Sequence, residues 1–229
     1  MAKLVLVRHG QASYGQADYD KLSPRGEAQA RQLGPFLAKL QPNALFVGPL
    51  VRQQQTAHFA RAAAPSLPPP QTLDGLAEYP GFDLVKAFLP KLVEEDPELA
   101  MVASARGASD RAFERIISKW SRDEWQIENV ERVHEFRARV ETALTRAIAS
   151  ANSGGTICAV TSAGPIGVAV GLVFGATAHH MIRASSTIRN ASVSELKLRT
   201  HEFAWHPDKI SLVTFNSTSH LSPDLVTEY

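Results

Sequence analysis

A single cysteine, Cys158, occurs in the chain, so no internal disulfide can staple the fold, and this usage fits a reducing compartment. An excess of charge of one sign is also missing. With 24 basic and 23 acidic residues the net charge is +1, which excludes a duplex-binding face and a polybasic membrane patch. Long apolar runs are absent as well. Leu4 to Val7 stops at Arg8, too short for a signal-peptide core, and Ala163 to Ala178 is broken by Pro165 and glycines, short of the ~20 residues of a membrane span. No His or Cys pair has metal-ligand spacing, so neither a metal nor another cofactor is expected. These absences point to a cytoplasmic domain without nucleic-acid or membrane partners. With 44% hydrophobic residues it can bury a real core, in which Cys158 is expected as a small packing residue.

The apolar run Leu4–Val7 predicts a central strand buried on both faces. Ser23-Pro24 reads as the cap and first position of a helix with Leu33, Leu37 and Leu40 on one face. Ala44–Val47 is a second strand, halted at Gly48-Pro49, and a helix follows to about Ala64. Pro65 to Pro70 is a stiff connector. Residues 82–129 carry Phe82, Leu84, Phe88 and Leu92, then Phe113, Ile116, Ile117 and Trp120, at helical spacing. They predict a helical, cap-like insertion in a single domain over 1–229. Phe82, Phe88, Trp120 and Trp125 are expected to form the insertion's own small core. A long helix from about Val130 to Ser150, a strand at 156–161, a buried Gly-rich helix and two closing strands complete the pattern. The order predicts a three-layer α/β/α sandwich around a mostly parallel sheet. Three strand ends carry polar residues where the chain turns: Arg8-His9-Gly10, Gly48-Pro49 leading to Arg52, and Ser162-Ala163-Gly164. Neighbouring parallel strands would bring them to one pocket.

A histidine fixed at a strand end can serve as acid, base, ligand or nucleophile. Gly10 permits close approach to the main chain, and Arg8 suggests an anion, because a guanidinium forks onto phosphate or carboxylate oxygens. Beyond this tripeptide stand Asp20-Lys21-Leu22-Ser23-Pro24-Arg25-Gly26 and Pro49-Leu50-Val51-Arg52-Gln53-Gln54-Gln55-Thr56-Ala57. Together with Asn190-Ala191-Ser192-Val193 and Phe215 to Leu221, they resemble the histidine phosphatase superfamily, also called phosphoglycerate mutase-like. The resemblance covers most of the chain except 82–129.

That resemblance implies that His9 attacks phosphorus and carries a phosphohistidine. Arg8 and Arg52 would clamp the phosphoryl oxygens, which is the positioning and charge neutralisation that phosphoryl transfer needs, without a metal. The family's proton donor follows a third strand in a Leu-x-Glu segment. Leu76-Ala77-Glu78 makes Glu78 the candidate acid, with Asp83 as understudy. The fourth strand of the family ends Ser-His-Gly-Gly. This chain has Ser162-Ala163-Gly164-Pro165, so Ala163 stands where the second histidine is expected, and Ser162 could donate its hydroxyl to phosphate. Loss of one such donor typically costs ~10²–10³ in rate. Ala163 is either an engineered replacement or a natural divergence, and the second departure, at Pro165, favours divergence. His179, His180, His220, His58, His134, His201 and His206 are expected to be solvated or satisfied rather than substitutes.

The implied activity is hydrolysis of a small phosphomonoester. Two alternatives remain: a phospho-ligand binding protein that has lost turnover, and a mutase. The mutase is disfavoured because the loop Gln11 to Asp18 lacks the Asn- and Trp-containing segment of glycolytic mutases.

Overall fold

The computed structural model describes residues 1–13, 20–96, 106–150, 154–199 and 203–228, with backbone alone for 106–110. Strand β1 (Ala2–Arg8) lies in a six-stranded sheet of order β3-β2-β4-β1-β5-β6. Its neighbours are β4 (Thr156–Thr161), which is parallel, and β5 (Val193–Leu198), which is antiparallel. The parallel set continues through β2 (Ala44–Val47) to β3 (Pro70–Thr72), and β6 (Ile210–Ser217) pairs antiparallel with β5. The expected α/β sandwich with a mostly parallel sheet is therefore found.

Period-2 alternation divides the core between the two faces of the sheet. Val5, Val7, Leu45, Val47, Cys158 and Val160 face one way, onto Leu33 and Leu37 of α1 (Pro24–Lys39) and Ala57 and Ala60 of α2 (Val51–Ala63). Leu4, Leu6, Phe46, Ile157 and Ala159 face the other way. There they meet α3 (Gly81–Glu95), α4 (Arg106–Ser121), α5 (Val133–Ala149), α6 (Ala163–Val173) and α7 (Ala178–Ser185). Gly164 to Val173 of α6 are all buried, as the Gly-rich pattern predicts. No helix among the described residues is long and apolar enough to cross a membrane.

Two expectations need correction. The proline connector ends in a strand: β3 lies at the sheet edge with Pro70 as its first residue, where the missing N–H breaks no interior ladder. The aromatics of 82–129 do not form a separate core either. Phe88, Trp120 and Trp125 are buried in the same cluster as Leu4 and Ile157, whereas Phe82 is 68% exposed. Leu84, Phe88 and Leu92 follow one another at intervals of four and define the buried stripe of α3; Phe82 falls outside that stripe.

Ser23 caps α1 by accepting from the Gly26 N–H, with Pro24 at the first helical position, as its sequence signature predicts. The loop after β1 then lies flat on this first turn. A Cβ on Gly10 would come within 2.5 Å of the Gly26 carbonyl oxygen, and one on Gly26 within 2.1 Å of that of Gln11. This backbone-to-backbone contact fixes the path of the chain just beyond His9.

Candidate active site

His9 leaves β1 with its main chain held by the neighbouring strand, the His9 N–H donating to the Thr161 carbonyl over 2.9 Å. Its side chain is almost fully buried. Nδ1 lies 2.7 Å from the Gly10 carbonyl oxygen. A carbonyl can only accept, so Nδ1 carries the proton and Nε2 carries the lone pair. Burial, then the charges of Arg52 and Arg8, hold the His9 pKa well below the usual histidine value, against the opposing effect of the Gly10 bond. The ring is neutral at pH 7.

Arg52 sits in the first turn of α2 and donates from Nε to His9 Nε2 over 3.0 Å. Asp20 orients it. One carboxylate oxygen accepts from Arg52 Nη1 at 2.5 Å, and the other accepts from the Val51 N–H at 2.9 Å, at the start of the same helix. Thr56 adds a relay: its hydroxyl donates to the Arg52 carbonyl and accepts from the Gly10 N–H, tying α2 to the loop after His9.

Arg8 directs Nη1 to the carbonyl oxygens of Ile188 and Glu228, so it braces the segments before β5 and near the end of the described chain. Its charge still acts on both His9 and Glu78.

Glu78 follows a short 3₁₀ turn, Asp74–Leu76, beyond β3. Its carboxylate spans the start of α6: both oxygens accept from the Gly164 N–H, at 3.1 and 3.0 Å, and Oε1 also accepts from the Tyr79 N–H at 3.1 Å. Gly164 is required by this contact, because a Cβ there would lie 2.0 Å from Oε1. Burial pushes the Glu78 pKa up, and the Gly164 bond, Arg52, the Tyr79 bond and Arg8 offset part of that rise.

Ser162, the residue before α6, is fully buried, and its Oγ accepts from Gln53 Nε2 over 2.8 Å. Ala163 opens α6 and packs its half-buried side chain against the main core. Pro165 falls in the first turn, where an N–H would have no intrahelical partner. Asp83 is exposed in the first turn of α3.

Of the other histidines, His58, His134, His180 and His206 are exposed, and His201 lies outside the described residues. Nδ1 of His179 is 2.8 Å from the Ser121 hydroxyl, and His220 stacks on Phe36 with ring centroids 4.9 Å apart. Among the described residues no cluster of His, Cys, Asp and Glu could hold a metal ion.

Three contributors escape sequence reasoning. Asp20 stands in a quoted motif, but its role appears only once Arg52 is placed. Gln53 is buried, and its amide joins the Leu50 N–H, the Leu76 carbonyl and Ser162. Arg139 lies on α5, with no local signal linking it to Glu78.

A mixed six-stranded sheet between helical layers, with histidine, arginine and glutamate gathered around the ends of its parallel strands, defines the phosphoglycerate mutase-like α/β architecture. The chain belongs to the histidine phosphatase superfamily, since the profile of its branch 1 matches residues 4–208. Solved structures share the fold at low identity. Bacillus stearothermophilus YhfR aligns with a TM-score of 0.69 and 18% identity, over 96% of this chain and 99% of that one. A mycobacterial glucosyl-3-phosphoglycerate phosphatase in complex with inorganic phosphate gives 0.67 and 20%, over 96% and 99%. A mutant phosphoserine phosphatase from Entamoeba histolytica in complex with phosphoserine gives 0.62 and 18%, over 97% and 100%. No curated protein sequence matches the chain.

Proposed function

We propose that the protein is a phosphomonoester hydrolase acting through a phosphohistidine on His9, with a small phosphorylated metabolite as substrate. The observation that carries this reading is the tautomer of His9: Nδ1–H is held by the Gly10 carbonyl, and Nε2 presents its lone pair beside the Arg52 guanidinium. A phosphoryl group arriving there takes over the donors of Arg52. Nε2 forms a bond to phosphorus as the ester P–O bond breaks, and the leaving oxygen takes a proton from Glu78, whose raised pKa suits an acid. Water then attacks phosphorus, Glu78 accepts its proton, and His9 Nε2 departs as the neutral imidazole. Two of the structural neighbours, a glucosyl-3-phosphoglycerate phosphatase and a phosphoserine phosphatase, act by name on small phosphate esters, which agrees with this class of substrate.

One observation favours a second reading. Ala163 offers no imidazole, and the Gly164 N–H at the start of α6 is already taken by Glu78. A protein that binds phospho-ligands without turnover would show the same features. Turnover of 4-nitrophenyl phosphate, measured beside a titration with inorganic phosphate, separates the two. Hydrolysis that depends on His9 supports the hydrolase; phosphate binding with no hydrolysis at any pH overturns it.

A further inference from the structure

Arg139 makes an arrangement that neither catalysis nor the fold pattern calls for. It projects from α5 to the short loop that carries Glu78. Nη1 donates to the carbonyl oxygens of Gly75 at 3.1 Å and Ala77 at 2.8 Å, and Nη2 donates to that of Glu78 at 3.2 Å. The remaining donors go to Glu131, Nε to one carboxylate oxygen at 2.5 Å and Nη2 to the other at 3.1 Å. All five N–H donors of the guanidinium are thus used, and its Cζ lies over the Phe136 ring, 4.7 Å from the ring centre. The loop has no slack beneath it: a Cβ on Gly75 would meet the Arg139 carbonyl oxygen at 2.6 Å.

Glu131 is in turn tied to α4, because Trp120 Nε1 donates to its carbonyl over 2.8 Å, and the Trp120 ring packs against Tyr79, next to Glu78. Arg139 of α5 therefore holds the main chain of the proposed acid, and Trp120 of α4 packs beside it on Tyr79. The side chain of Glu78 is set by the Gly164 N–H and its backbone by Arg139, so the carboxylate is constrained from both ends.

We propose that Arg139, held by Glu131, is a positioning residue for Glu78, fixing where the leaving group finds its proton. This rests on the reading of Glu78 as the acid. Three carbonyls spread over four residues need a flat fork with several donors. A lysine ammonium at the same place keeps the charge and loses that geometry.

The test compares β-glycerophosphate, whose alkoxide leaves poorly and needs the proton, with 4-nitrophenyl phosphate, whose phenolate does not. The quantity is kcat/KM, which covers steps up to departure of the leaving group. Arg139→Lys is expected to lower kcat/KM for β-glycerophosphate by ~10–100-fold and to leave that for 4-nitrophenyl phosphate within about twofold. Glu131→Gln should give a smaller split of the same sense. In a Glu78→Gln background, Arg139→Lys should add no further split. A parallel fall for both substrates, with or without a lower Tm, would mark Arg139 as merely structural and overturn the inference. A split with Glu78→Gln but none with Arg139→Lys overturns this inference alone. No split with Glu78→Gln, or no turnover by the wild type, removes the acid assignment and this inference with it.

Discussion

The Nε–H of Arg52 points at Nε2 of His9 across 3.0 Å, so the cation that would receive the phosphoryl oxygens already marks the nitrogen that would attack. The Gly10 carbonyl excludes the other ring nitrogen. Brief reaction with a radiolabelled phosphoester should therefore yield an acid-labile, relatively base-stable phosphoramidate on Nε2 of His9. His9→Ala should abolish the label; a label persisting in that variant contradicts the mechanism.

The acid assignment predicts a pH signature. His9 must be neutral and Glu78 protonated, and the two shifts widen that window from both sides: His9 is lowered below 6.5 by burial, and Glu78 is raised above 4.5 by burial. For β-glycerophosphate, kcat/KM should persist below pH 6.5 and decline on the alkaline side as Glu78 ionises. Glu78→Gln should remove that alkaline limb and lower the plateau by ~10²-fold or more. A pH profile identical in the variant would rule Glu78 out.

Gly164→Ala places a methyl group 2.0 Å from the present position of Glu78 Oε1. The carboxylate must leave the start of α6, so kcat/KM for alkyl phosphates should drop by ~10-fold or more, although alanine is the better helix former by ~1 kcal/mol. Unchanged kinetics would show that the Gly164 bond does not matter to the reaction.

Refilling the first position of α6 tests what Ala163 means. Ala163→His should raise kcat by up to ~10²–10³-fold if the site lacks only a donor to the phosphoryl oxygens. Pro165 fixes its own φ and restricts Gly164, so adding Pro165→Gly should improve on the single change. Absence of any gain, in variants that fold and bind phosphate, would mean that the site is built around a small residue.

Stability should carry the imprint of His9. Its folded pKa lies below the unfolded value of about 6.5, so the unfolded chain takes up a proton that the folded chain refuses. The stability present above pH 6.5 is then lost as pH falls, by about 1.4 kcal/mol for each pH unit down to the folded pKa. His179 and His220, also lowered by burial, act in the same direction. Urea unfolding of the wild type and His9→Asn at pH 7 and 5 isolates the His9 share. Equal losses in the two proteins would contradict the shift.

The strands and the place of His9 at a strand end were readable because they obey local rules. Leu4–Val7 is apolar on both faces because helices cover both faces, and Ser23-Pro24 is a cap signal that needs no tertiary context. β3 was hidden because Gln71 and Thr72 follow a proline run, and only their pairing with Phe46 and Val47 makes them a strand. Asp20, Gln53 and Arg139 were silent for a similar reason. Asp20 acts on Val51, 31 positions away in sequence, Gln53 on Leu76 and Ser162, 23 and 109 away, and Arg139 on Glu78, 61 away, and periodicity carries no information at that range. Trp120 and Phe88 were read as helical and buried, but the spacing that buries them cannot say in which core.

Cys158 occupies the middle of β4, fully buried, with its thiol pushed up to about 12 by burial. A reagent such as a maleimide can reach it only when the centre of the sheet opens. As the chain's sole thiol, it is a built-in clock for that opening. Three residues further along the same strand stands Thr161, whose hydroxyl holds the Leu76 carbonyl ahead of Glu78. An anion seated among Arg52, His9 and Glu78 should therefore slow thiol labelling by the factor 1 + [L]/Kd. Ligand affinity could then be read from a protein that catalyses nothing at all, with the label as the only reporter.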